Sequence, residues 1–263
     1  MKNKVYFFSG SRADYSLIES IFFLFQNNKL FEKKLVLTGT NLSKKYSDNE
    51  KFNISQKNIH KIYTKLGNSQ KENFSKIMST YFSQFYRLLE KNKPNCVILL
   101  GDRYEALIFG ICAKLLNIKI IHFHGGETTL GSLDNIWRDT ISKLSDYHFT
   151  SLKLYKDKLV SLGINKKKIF NVGSIGVANI AKSKIKKKFI FPNNLNFNRK
   201  ILVSYHSLTI LISQSRKDLN ELLNALSSFK KDFILFTYPG HDFDSDYIIR
   251  SIKNFNKFNK NSM

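Results

Sequence analysis

Residues 96–124 read C-V-I-L-L-G-D-R-Y-E-A-L-I-F-G-I-C-A-K-L-L-N-I-K-I-I-H-F-H. An apolar run, Cys96–Leu100, stops at a glycine. A helical stretch from Glu105 to Leu116 follows, and a second apolar run, Ile118–Phe123, comes next. Strands that are apolar at every position are buried on both faces. A strand, helix, strand order therefore predicts parallel pairing with helices on either side. The same alternation extends outward. Val5–Ser9 and Leu35–Thr38 upstream, and Tyr147–Thr150 and Ile169–Val172 downstream, are strand-like. Tyr15 to Phe25 fits a helix. Phe74, Ile77, Met78, Tyr81, Phe82, Phe85, Leu88 and Leu89 keep helical spacing, and a helix is expected near Leu152–Leu162.

The composition then changes. Ala181 to Lys200 holds seven basic residues, no acidic one, and Pro192, which predicts a solvated linker. A second strand, helix, strand pattern begins at Ile201–Tyr205. It runs through Leu219, Leu222, Leu223, Leu226 and Phe229 to Phe233–Thr237, with a last helix near Tyr247–Phe255. The expected organisation is a Rossmann-like domain over 1–180, a basic linker over 181–199 and a partial second Rossmann-like domain over 200–263. Two strands are too few for an independent layer. The polar tail, Asn254 to Met263, is not expected to add another.

With 263 residues, 42% hydrophobic and 24% charged, the chain can bury a large core, and it is neither disordered nor collagen-like. Two cysteines, Cys96 and Cys112, make no disulfide framework and read as core thiols of a reducing compartment. The net charge of +23 raises the question of nucleic acid. The lysines are spread along the chain, however, and no nucleic-acid motif accompanies them, so no nucleic-acid partner is expected. The longest apolar stretch, Ala106 to Phe123, is broken by Lys114, Asn117 and Lys119 and reads as a helix and a strand, not a membrane span. A cytoplasmic protein without membrane attachment is expected.

In open α/β sheets, ligands bind beyond the carboxyl ends of the strands. Four such ends carry polar residues. Ser9-Gly10-Ser11-Arg12-Ala13-Asp14-Tyr15 leads from a strand into a helix whose N-terminus suits an anion beside Arg12, though a simple turn accounts for it as well. Thr38-Gly39-Thr40-Asn41 reads as a turn. Gly101-Asp102-Arg103-Tyr104-Glu105 crowds three ionisable side chains against an apolar strand, although Asp102 would also serve as a helix cap. His122-Phe123-His124-Gly125-Gly126-Glu127-Thr128-Thr129 is followed by Asp134 and Arg138 at i and i+4. Its two histidines alternate with apolar residues, as if on one strand face. His-x-His with acids is compatible with a metal, and carboxylates with arginines suit a phosphorylated sugar equally well. A nucleophile elbow and a G-x-G-x-x-G turn are both missing, which disfavours a serine hydrolase and a dinucleotide enzyme.

Taken together, G-S-R-A-D-Y at Gly10–Tyr15, T-G-T at Thr38–Thr40, G-D-R-Y-E at Gly101–Glu105 and H-x-H-G-G-E-x-T from His122 resemble the hydrolysing UDP-N-acetylglucosamine 2-epimerases. D-x-x-x-R at Asp134–Arg138 and G-S-x-G at Gly173–Gly176 fit the same family. The resemblance runs from about Lys4 to the end of the chain. It implies two Rossmann-like domains of the GT-B type with the sugar nucleotide between them. The implied reaction eliminates the C2 proton and the nucleoside diphosphate, then hydrates the glycal with inversion at C2. Products of the N-acetylmannosamine type feed sialic or legionaminic acid synthesis. Neither a metal nor a redox cofactor is needed. By motif match, Asp102, Glu127 and Asp134 correspond to the catalytic carboxylates, with acid and base unassigned. Arg12 and Arg138 are expected to hold phosphate, and His124 and His206 to contact substrate. Family members are longer, so the chain resembles a member truncated in its second domain. As such it is expected to be a poor enzyme, partnered by a second copy or by a complementing C-terminal half. Several positions depart from the family: Asn41 where many members have His, Asp139 and Ser142 in place of His and Thr, and Ser207-Leu208 in place of Pro-Glu. The competing readings are a GT-B-type glycosyltransferase and a noncatalytic sugar-nucleotide-binding fragment or split-enzyme half.

Overall fold

A computed structural model describes residues 2–26, 28–42, 52–64, 74–183, 197–208, 211–239 and 244–263. These divide into two compact units, Met1–Thr129 with Asp134–Ser183, and Leu130–Leu133 with Lys184–Met263.

The first unit carries β1 (Asn3–Ser9), α1 (Arg12–Leu24), β2 (Phe31–Leu37), β3 (Ile59–Lys61) and α2 (Phe74–Asn92). It continues with β4 (Cys96–Leu100), α3 (Tyr104–Leu115), β5 (Lys119–Phe123), α4 (Asp134–Leu144) and β6 (Tyr147–Thr150). α5 (Lys153–Ser161), β7 (Ile169–Asn171) and α6 (Ile175–Lys182) complete it. The strands form one parallel sheet in the order β3-β2-β1-β4-β5-β6-β7. Successive side chains of a strand point to opposite faces, and the core divides accordingly. Tyr6, Phe8, Val97 and Leu99 pack with Tyr81 and Phe85 of α2 and Phe109 of α3. Val5, Phe7, Ile98 and Leu100 pack with Ile18, Ile21 and Phe22 of α1. This two-sided burial makes β4 apolar at every position and β1 apolar over Val5–Phe8. The strand order reverses direction between β1 and β4, the point at which open α/β sheets bind ligands.

The largest departures from the expected strands lie in β2 and β3. β2 starts at Phe31, earlier than Leu35, because its first residues are only half-buried and include Glu32, Lys33 and Lys34. β3 is a three-residue strand at the sheet edge, too short to give a period.

The second unit has β8 (Lys200–Ser204), α7 (Ile212–Leu226), β9 (Phe233–Thr237) and α8 (Ser245–Phe258). β8 and β9 pair in parallel over a core of Val203, Leu219, Ile234, Phe236, Ile248 and Ile252. The tail corrects the expectation that it adds nothing to the sheet. Ser262 bridges Ile234 in parallel, Ile234 N–H donates to Asn261 O at 2.8 Å, and Phe236 N–H donates to Met263 O at 2.8 Å. Backbone amides need no apolar side chains to pair, so the polarity of the tail hid this. Most of the expected linker, residues 184–196, lies outside the described residues. Among the described residues, no helix is long and apolar enough to cross a membrane.

Candidate active site

Three turns at the carboxyl ends of β1, β2 and β4 are packed against one another. Gly39 has φ +62°, and a Cβ there would lie 2.3 Å from the Gly10 carbonyl oxygen. The Thr40 N–H donates to that same oxygen at 3.2 Å. Behind Gly10 lies the Arg103 side chain, whose Nε would stand 3.2 Å from an added Cβ. Arg103 donates through Nε and Nη2 to the Glu105 carboxylate at 3.1 and 2.9 Å, and Glu105 is fully buried. A forked guanidinium matches a carboxylate through two parallel bonds, so this pair fixes orientation as well as charge. It is accompanied by Asp14, whose carboxyl burial pushes up to about 6. Arg103 and a Ser11 hydrogen bond oppose that rise, and the charges of Glu105 and Asp102 add to it. Asn41 donates to Ser9 O and Oγ at 3.0 Å each and to Thr38 O at 3.2 Å, so it ties β1 to β2 from a buried position.

Beyond β5 the chain makes the second half of the site. His122 is fully buried. Its Nε2 lies 2.8 Å from Gly101 O and its Nδ1 3.1 Å from Ser142 Oγ. His124 does not share that environment, contrary to the strand-face expectation. β5 ends at Phe123, and His124 adopts φ +63°, which turns its ring away from the pleat. Its Nδ1 is 2.7 Å from Glu127 Oε1, which also accepts from Ser151 Oγ at 2.7 Å. Gly126, at φ +82°, lets the chain pass close to helix α5, where a Cβ would meet Tyr155 O at 2.4 Å. Arg138 is buried on α4. It donates to Glu127 O at 2.7 Å through Nη1 and contacts the Asp102 carboxylate through Nη2.

Arg138 thus ties the Asp102 carboxylate to the Glu127 backbone, and the two carboxyl groups sit in opposite environments. Burial raises the Asp102 pKa; Arg138 opposes this, and the nearby charge of Asp134 reinforces it. Burial also works against the Glu127 charge, but hydrogen bonds from His124 and Ser151 win, and its pKa is lowered. A pair of carboxyl groups driven apart in this way is suited to divide proton donation and acceptance.

The expected residues thus fall into three groups. Asp102, His124, Glu127, Asp134 and Arg138 come together at the ends of β4 and β5 and the start of α4. Arg12 opens α1, at the end of β1. His206 belongs to the second unit, where it is exposed and its Nε2 lies 3.4 Å from Ser204 Oγ. Asp139 forms an ion pair with Lys158 at 3.4 Å. Sequence reasoning assigned no role to Asp14, Glu105, His122, Ser142 or Ser151. The signal for Asp14 and Glu105 was present in their motifs, whereas Ser142 and Ser151 have none. Among the described residues, no group of three His, Cys, Asp or Glu side chains is placed to hold a metal ion.

Comparison with known proteins adds to this geometry. Residues 24–261 match the family model for UDP-N-acetylglucosamine 2-epimerase. The chain is similar to a GDP/UDP-N,N'-diacetylbacillosamine 2-epimerase (hydrolyzing) of Campylobacter jejuni, at 33% identity over 97% of this chain and 67% of that protein. It is also similar to a UDP-N,N'-diacetylbacillosamine 2-epimerase (hydrolyzing) of Legionella pneumophila, at 32% identity over 78% of this chain and 56% of the relative. The fold is that of a UDP-GlcNAc 2-epimerase from Neisseria meningitidis solved with UDP-GlcNAc bound. That likeness has a TM-score of 0.74 at 19% identity and covers 100% of this chain and 71% of the solved one. The chain therefore spans about two thirds or less of the length of these curated relatives.

Proposed function

Because the chain belongs to the UDP-N-acetylglucosamine 2-epimerase family, we propose that it acts as a hydrolysing sugar-nucleotide 2-epimerase. Its substrate is a UDP-linked 2-acetamido sugar, and the names of the two bacillosamine relatives support a 2,4-diacetamido-6-deoxy sugar. The observation that carries this reading is a pair of carboxyl groups, Asp102 raised and Glu127 lowered, set on two turns that Arg138 ties together through the Asp102 carboxylate and the Glu127 backbone carbonyl.

Glu127 is the proton acceptor. Among the described residues, both of its side-chain hydrogen bonds fall on Oε1, which leaves Oε2 to take the C2 proton. The C2–H electron pair becomes the C1=C2 bond, and the C1–O pair leaves with the nucleoside diphosphate. Asp102, which retains its proton to higher pH, delivers it to C2 from the other face as water adds to C1. The second proton of that water restores Asp102, and the proton on Glu127 passes to solvent. Asp134 stabilises the positive charge that builds as the C1–O bond breaks. Arg12, Arg138 and His206 hold the diphosphate and sugar, and His124 orients Glu127. The product serves nonulosonic acid synthesis of the sialic or legionaminic type in the cytoplasm, and the working form is a homo-oligomer or is completed by a C-terminal half.

Incubating the purified protein with UDP-N,N'-diacetylbacillosamine and following the sugar by NMR tests this reading. The expected products are free UDP and a reducing sugar inverted at C2. Sugar transferred to an acceptor would favour the glycosyltransferase. Binding without turnover would favour the noncatalytic module.

A further inference from the structure

His122 takes no part in the proton transfers described above, yet it touches both elements that create the Asp102–Arg138 pair. Its Nε2 lies 2.8 Å from Gly101 O, the carbonyl immediately before Asp102. A carbonyl only accepts, so Nε2 carries the proton and donates. Nδ1 then accepts from the Ser142 hydroxyl at 3.1 Å. Ser142 stands one turn after Arg138 on α4, on the same face of that helix. The Gly101 N–H is itself fixed by donation to Phe123 O at 3.0 Å. A closed ring results, running from Gly101 to Asp102, across to Arg138, along one helical turn to Ser142, through His122 and back to Gly101.

Three further observations favour a built arrangement. His122 and Ser142 are both 0% exposed, so neither exchanges its partner for water. Gly125 makes room for their bond, since a Cβ there would lie 2.8 Å from Ser142 Oγ and 3.0 Å from His122 Nδ1. Burial pushes the His122 pKa down to about 3, with the Gly101 carbonyl opposing and His148, Arg138 and His124 adding to the fall, so the ring stays neutral and cannot serve as an acid near neutral pH.

We propose that His122 is a positioning residue that couples the β4 turn to α4, holding the Asp102 carboxylate in register with the Arg138 guanidinium. Buried hydrogen-bond rings of this kind act as a unit, so loss of one member is felt at the others. The role concerns the geometry of the site and rests on the proposed function only for its consequence in catalysis.

The test follows the Asp102 carboxyl by carbon NMR across pH, together with the melting temperature, in the full chain. Arg138 and Asp134 of α4 and Arg103 of its own turn are the charges that set its midpoint. In His122→Phe the midpoint is expected to rise by about one pH unit or more as Arg138 is displaced, the size of effect an arginine neighbour exerts. In His122→Gln, which keeps an N–H for Gly101 O, it is expected to return most of the way to the parent value. Ser142→Ala, a smaller change, covers the case in which His122→Phe does not fold, and is expected to raise the midpoint in the same direction. Nitrogen NMR of the parent is expected to show a neutral His122 protonated on Nε2. A fall in melting temperature with an unmoved Asp102 midpoint, or an Nδ1-protonated ring, would overturn the proposal. None of these readouts needs turnover, so a failure of the coupling is distinguishable from a failure of the enzymatic reading.

Discussion

Asp102→Asn is expected to lower epimerase turnover about a hundred-fold or more, the usual loss when a positioned proton donor is removed. The amide keeps the shape of the carboxyl but has no acidic proton to give to C2. Glu127→Gln is expected to lose as much, because the amide cannot take the C2 proton. Asp134→Asn should lose at least that, through weaker charge stabilisation at the same centre. Stability separates this account from a capping role for Asp102, which would lower stability by about 1 kcal/mol and leave turnover near normal. The structure already argues against the cap: Arg103 is the residue preceding α3, and Asp102 is turned to Arg138. Melting temperature and turnover measured on the same purified variants decide the matter.

The second large effect is on stability. Gly39→Ala is expected to destabilise the first unit by about 3 kcal/mol or more, combining a left-handed backbone conformation with a forced contact on backbone. The added methyl would meet the Gly10 carbonyl, which cannot rotate away because the Thr40 N–H is bonded to it and the Arg103 side chain lies behind Gly10. In a unit of this size the melting temperature should fall by about 10 °C. Gly101→Ala is the matched control. Its φ is also positive, but nothing lies within 4 Å of an added Cβ. It is expected to lose only the conformational part, about 1 kcal/mol. Equal losses in the two variants would show that the close approach of the β1 and β2 turns carries no energy.

The parts of the fold legible in sequence were those whose burial is two-sided. Cys96–Leu100 was found to the residue because every position of a covered parallel strand is selected for apolarity or tight packing. The start of β2 was hidden because Glu32, Lys33 and Lys34 sit where the sheet is only half-covered. The pairing of Asn261–Met263 was hidden because it rests on backbone alone. In the site, Asp102 could be read from the density of ionisable groups beside an apolar strand, and Glu127 and Arg138 were picked out by the family resemblance. What could not be read is which histidine does what. Alternation puts His122 and His124 on one face, but a single positive φ after Phe123 sends the second ring to Glu127 and leaves the first buried between Gly101 and Ser142. Ser142 and Ser151 carry no signal by type, since serine is common on any surface; only the tertiary packing brings their hydroxyls to His122 and Glu127.

The central claim is that carboxyl groups at the ends of β4 and β5 exchange the C2 proton with solvent in the course of sugar release. Turnover of UDP-N,N'-diacetylbacillosamine in D2O, with the product examined by NMR and mass spectrometry, tests it most directly. The account predicts one deuterium at C2 in every product molecule, accompanied by inversion at that carbon and release of UDP. Product that retains the original hydrogen at C2 would contradict it.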